Sequence, residues 1–111
     1  MDQVVQKFLV DVVDIISQID EELQGLAYED YKNDRNKMII VVQCFDSMIN
    51  SVTTISPVIR LLHTEIPWDE IESYRRLFEH DDNGIDEEAI WKISKIKLRT
   101  LKKNFLLLLN M

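Results

Sequence analysis

The chain has 111 residues, 46% of them hydrophobic and 30% charged, with a formal net charge of −7. That length accommodates one hydrophobic core, so a single domain spanning residues 1–111 is expected, and the balance is that of a globular protein rather than a disordered tail or a membrane protein. The negative charge argues against broad nonspecific binding to nucleic acid, DNA included, because such affinity comes mainly from lysine and arginine neutralising phosphates.

The start, Met1-Asp2-Gln3, has no basic stretch leading into an apolar segment and does not read as a secretory signal, so a cytoplasmic location is expected. The longest apolar runs, such as Phe105 to Leu109, fall far short of the roughly 20 residues that cross a bilayer, and no membrane partner is expected.

From Val4 to Leu26 the residues Val5, Phe8, Leu9, Val12, Ile15, Ile16, Ile19, Leu23 and Leu26 recur at three- and four-residue steps, which predicts one long amphipathic helix. Gly25 and the polar, aromatic stretch Tyr28 to Asn33 predict a short loop or a single helical turn. A second long helix is predicted from Asp34 or Arg35 to Ser56. Its apolar stripe is wide, as in a helix buried against several neighbours or a second subunit. The β-branched run Ile39 to Val42 would also suit a strand, but the helical spacing continues beyond it.

Cys44 lies in this segment and is the only cysteine. It excludes an internal disulfide and reads as a packing residue, since no neighbouring base would lower its pKa. Pro57 ends or redirects the helix, and a short helical piece from Val58 to His63 follows. Pro67 opens the next helix, with Asp69 and Glu70 suited to its positive end and Ile71, Tyr74, Leu77 and Phe78 facing inward. The stretch His80 to Gly84 is turn chemistry, and Asp86 is the expected N-cap of a last helix running to the chain end.

These elements predict an all-α fold, an antiparallel bundle of four to five helices. Charge is segregated along it. Lys92, Lys95, Lys97, Arg99, Lys102 and Lys103 follow one another without an intervening acid, whereas Asp11, Asp14, Asp20, Glu21 and Glu22 crowd the first helix. The basic stretch reads as a solvated face in preference to an RNA contact. The two histidines match no metal-ligand spacing, His63 reads as structural, and no metal or cofactor is expected.

The stretch from His63 to Glu70 with Ile66-Pro67-Trp68, then Arg75-Arg76, His80, Gly84-Ile85-Asp86 and Trp91, resembles the HepT-like branch of the HEPN families. Order and spacing both match, and Tyr31 to Asp34 resembles the family's aromatic-x-x-Asp element. The resemblance implies a HEPN-like helical bundle working as a homodimer, with Arg75 and His80 of both subunits forming a metal-independent endoribonuclease site and RNA as substrate. It also implies a toxin paired with a minimal nucleotidyltransferase antitoxin.

Arginine and histidine suit that chemistry: His80 can exchange a proton near neutral pH, and Arg75 can hold phosphate oxygens through two donors. Five positions apart, they cannot share one face of a regular helix, so the helix must end or bend near His80. The chain departs from the family at three places. Arg76 replaces the usual asparagine and adds a cation for RNA or phosphate. Asp82 replaces the tyrosine that accepts AMP, so that modification is not expected. Asp46-Ser47-Met48 stands where the family has Gly-Glu-Ala. The departures, with Glu79, Asp81 and Asp82 around His80, leave a second reading: a catalytically inactive HEPN homologue serving as a dimeric protein- or nucleotide-binding module.

Overall fold

The computed structural model describes residues 2–79 and 84–111 and is all-α, with no strand element among the described residues. α1 (Gln3–Leu23) starts where Asp2 accepts from the Val4 and Val5 amides, and beyond its end Gly25 takes the positive φ of 76° that the chain needs to turn back. The five-residue α2 (Tyr28–Lys32) is the single helical turn expected there. α3 (Arg35–Thr53) begins on Asp34, which accepts from the Lys37 amide. It is helical through Ile39 to Val42.

α1 and α3 are antiparallel. Lys37 at the start of α3 meets Glu22 near the end of α1 at 3.3 Å, while Asn50 to Ile55 lie beside Val4 to Asp11. α3 ends three residues earlier than expected because Ser56 is taken up as the N-cap of α4 (Pro57–Leu62), its hydroxyl accepting from the Ile59 amide. No residue of α4 is buried. Arg60 fastens it, donating Nη2 to the Val52 carbonyl at 2.8 Å, Nε to the Ile55 carbonyl at 3.1 Å and Nη1 to Glu72 at 3.3 Å.

α5 (Trp68–Ser73) follows Pro67 and passes directly into a 3₁₀ segment, Tyr74–Phe78. Asp86 caps α6 (Glu87–Lys92), accepting from the Ala89 amide at 3.0 Å, as expected. A π turn, Ile93–Lys97, then joins α6 to α7 (Leu98–Leu109). Regular helical spacing did not foresee it. Ile93 and Leu98 are five residues apart, about 140° out of phase on an α-helix. The wide turn, in which the Leu98 amide reaches the Ile93 carbonyl, brings both toward the core. Ile96, counted in the apolar pattern, is 67% exposed as a result.

α7 also runs antiparallel to α1, with Arg99 3.8 Å from Asp20 at one end and the Phe8 and Phe105 rings 6.0 Å apart further along. The buried apolar residues form one cluster drawn from the 3₁₀ segment and from every α-helix except α4, with Phe45, Met48 and Ile49 of α3 at zero exposure. No helix of the described residues is long and apolar enough to cross a membrane.

Candidate active site

The motif segment hangs from two buried anchors. Trp68 packs its ring 4.8 Å from that of Phe8 and donates Nε1 to the His63 carbonyl at 3.0 Å. His63 closes α4, with Nδ1 3.5 Å from Glu65. Six residues on, buried Tyr74 lies 5.8 Å from the Phe45 ring and donates its hydroxyl to Glu70 at 3.3 Å. Burial, then the charge and hydrogen bond of Glu70, push the Tyr74 hydroxyl well above its ordinary range.

Between these anchors and the core contacts of Leu77 and Phe78, the 3₁₀ turn sends Arg75 and Arg76 outward. Successive side chains diverge by about 120° on a 3₁₀ helix. Both guanidinium groups nevertheless line one shallow cleft of about 370 Å³ with Asp69, Glu72, Ser73 and Glu79. Neither arginine has an ion-pair or hydrogen-bond partner among the described residues. Glu72, on the same wall, is engaged by Arg60 instead.

The expectation that the helix stops before His80 agrees with the end of the 3₁₀ segment at Phe78. His80 and Asp82 themselves lie outside the described residues. The Asp86 amide donates to the Leu77 carbonyl at 2.8 Å, and Gly84 takes a φ of 82°. Asp46 and Ser47, at the altered central-helix positions, flank a second cleft of about 630 Å³ with Val42, Gln43, Phe78 and Ile85.

The basic stretch is largely consumed by the fold. Lys92 pairs with Glu88 at 3.0 Å, Lys97 with Glu70 at 3.9 Å and Arg99 with Asp20 at 3.8 Å, while Lys95 donates to the Leu23 carbonyl at 2.9 Å and sits 4.7 Å over the Trp91 ring. Cys44 is buried, and burial followed by the charge of Glu22 pushes its thiol up, away from the reactive form. Among the described residues no group of three or more His, Cys, Asp or Glu side chains is arranged to hold a metal ion.

Two contacts escaped the sequence. The Arg60 clamp spans three elements, and Tyr31 donates its hydroxyl to Glu87 across 56 positions of chain. Periodicity carries no signal for either.

A comparison with solved structures finds no significant match. Among curated proteins, the chain is 28% identical over 98 residues to "Probable ribonuclease HepT" of Thermococcus cleftensis, covering 88% of this chain and 89% of that protein. It is 26% identical over 101 residues to "Putative RNase MJ1216" of Methanocaldococcus jannaschii, with 91% and 84% covered, and 25% identical over 101 residues to "Putative RNase MJ0125" of the same organism, with 91% and 87% covered. The family described as Ribonuclease HepT-like matches residues 12–106, nearly the whole chain. With an Ile-Pro-Trp helix start, an arginine-lined cleft behind it and a capped Trp-bearing last helix in an all-α bundle, this chain belongs to the HepT-like ribonuclease family.

Proposed function

We propose that this protein is a metal-independent endoribonuclease of the HEPN type, acting in the cytoplasm as a homodimer and serving as the toxin of a toxin-antitoxin module. The observation that carries the reading is the pair Arg75 and Arg76, exposed side by side in one cleft and without a partner among the described residues. In a chain of net charge −7 whose other cations are mostly tied to carboxylates or carbonyls, two uncommitted guanidinium groups are what a phosphodiester requires.

In this reading Arg75 holds the scissile phosphate and stabilises the charge that develops on it. Arg76 binds the same or the next phosphate. His80 of one subunit takes the 2′-hydroxyl proton, and His80 of the partner subunit returns a proton to the leaving 5′-oxygen. One histidine per chain at this motif makes the dimer a chemical requirement. The relatives' ribonuclease names and the motif resemblance from His63 to Asp86 support the same assignment. A minimal nucleotidyltransferase antitoxin would have to inhibit without transferring AMP to position 82, where a carboxylate stands instead of a tyrosine hydroxyl.

One observation favours a second reading, a non-catalytic dimeric binding module: Asp69, Glu72 and Glu79 line the cleft beside the two arginines and repel RNA phosphate. Cleavage of RNA in EDTA separates the readings. Wild-type protein is expected to cleave, and Arg75→Ala and His80→Ala to lose about 100-fold or more of the rate. Equal, negligible cleavage by all three proteins would rule out the catalytic assignment and leave the binding module.

A further inference from the structure

The hydroxyl of Tyr31 donates to Glu87, joining α2 to the first turn of α6. Tyr31 is completely buried, its ring 5.3 Å from that of Trp91, and Tyr28 stands 5.8 Å from Trp91 on another side. Lys95, seated over Trp91 and bonded to the Leu23 carbonyl at 2.9 Å, ties this aromatic group to the end of α1. Half-buried Glu87 therefore meets an aromatic wall on its Tyr31 side.

Next in the chain, Asp86 donates its amide to the Leu77 carbonyl at 2.8 Å and caps α6 with its carboxylate. Leu77 belongs to the 3₁₀ turn that carries Arg75 and Arg76. The contacts form one series: Tyr31 to Glu87, Glu87 along the chain to Asp86, and Asp86 to Leu77. The start of α6 is thus tied on one side to α2 by the Tyr31–Glu87 contact and on the other to the arginine-bearing turn by the Asp86 amide.

We propose that Tyr31 and Glu87 are positioning residues that fix the start of α6 against the arginine-bearing turn, and so set how Arg75 and Arg76 are presented in their cleft. The inference rests on the ribonuclease reading above, since only that reading gives the two arginines a catalytic task. It adds to it two residues, one of them in a different helix pair, that touch no substrate.

Three substitutions separate positioning from packing. Tyr31→Phe keeps the ring and its aromatic contacts and removes only the donor. Glu87→Ala removes the acceptor, and Glu87→Gln keeps a carbonyl oxygen in its place. Hydrogen exchange of the Asp86 amide, followed by NMR, is expected to quicken about tenfold in Tyr31→Phe and Glu87→Ala and to stay near wild type in Glu87→Gln, with the amides of Leu9 and Ile16 unchanged in all three. On RNA, kcat is expected to fall about tenfold in the first two variants with KM within about twofold, and to recover in Glu87→Gln.

Unaltered Asp86 exchange in both Tyr31→Phe and Glu87→Ala would overturn the contact's role. Faster exchange with undiminished kcat would overturn positioning. A wild-type protein that fails to cleave RNA above the His80→Ala background sinks the ribonuclease reading instead, and the exchange data then stand alone in deciding whether the contact holds the turn.

Discussion

Tyr31 and Tyr74 are kept neutral by their surroundings, in both cases first by burial and then by a carboxylate, Glu87 and Glu70 respectively. Each hydroxyl is raised above the ordinary tyrosine value of 10.0. Below pH 10 both folded and unfolded chains hold these protons, so the contribution to stability is complete; above it the unfolded chain releases them while the folded chain does not, and stability falls. Urea denaturation between about pH 9 and 11 should show a loss of up to about 1.4 kcal/mol per pH unit from each tyrosine, a slope that shrinks in Tyr74→Phe. At this scale the sequence was informative where chemistry is local. Cys44 was readable as packing and Asp86 as a cap because the neighbours that decide both are adjacent in the chain, and the five-residue gap from Arg75 to His80 required a helix end that falls at Phe78. The Tyr31 contact was not readable, because its acceptor is brought there only by the packing of α6.

The exposed side of α4 bears Val58, Leu61 and Leu62, 66% to 76% exposed, so burial, confined to the partly buried Ile59, does little to hold this helix in place. Arg60 does more, donating to the Val52 carbonyl in the last turn of α3, where a cation also meets the negative end of the helix dipole, and to the Ile55 carbonyl just beyond it. Arg60→Ala is expected to lower the unfolding free energy by about 2 kcal/mol in urea titration, and Arg60→Lys to recover little of it, since an ammonium cannot reach two carbonyls and Glu72 from one fixed plane. The apolar spacing located α1 and α3 to within a few residues of their observed ends. It failed at the 3₁₀ segment and the π turn, because any reading at 3.6 residues per turn treats every helix as regular, and tertiary packing is what tightens one and widens the other.

The whole molecule measures 42 × 31 × 18 Å, about two helical layers thick, so a large share of each helix faces outward. Its charge asymmetry along the sequence becomes cohesion in three dimensions. The acids near the end of α1 meet cations from α3 and α7, Glu22 with Lys37 and Asp20 with Arg99. Beside the two arginines, unpaired among the described residues, lies an apolar face: Val42, Phe78 and Ile85 around the 630 Å³ cleft, with Ile39, 46% exposed, one turn earlier on α3. If this face, next to the arginine cleft, joins two copies, sedimentation velocity should report a dimer for the wild type and a monomer for Ile85→Asp, and a monomeric wild type at high concentration would count against paired active sites. The π turn at Ile93–Lys97 holds one residue more than a regular turn, with Ile96 turned outward at its crest. Deleting Ile96 would restore ordinary winding without rotating Leu98, Leu101 or Phe105 off the core. Homologous chains can therefore differ by a single residue in the middle of this half-exposed helix and still keep the register of its core-facing side.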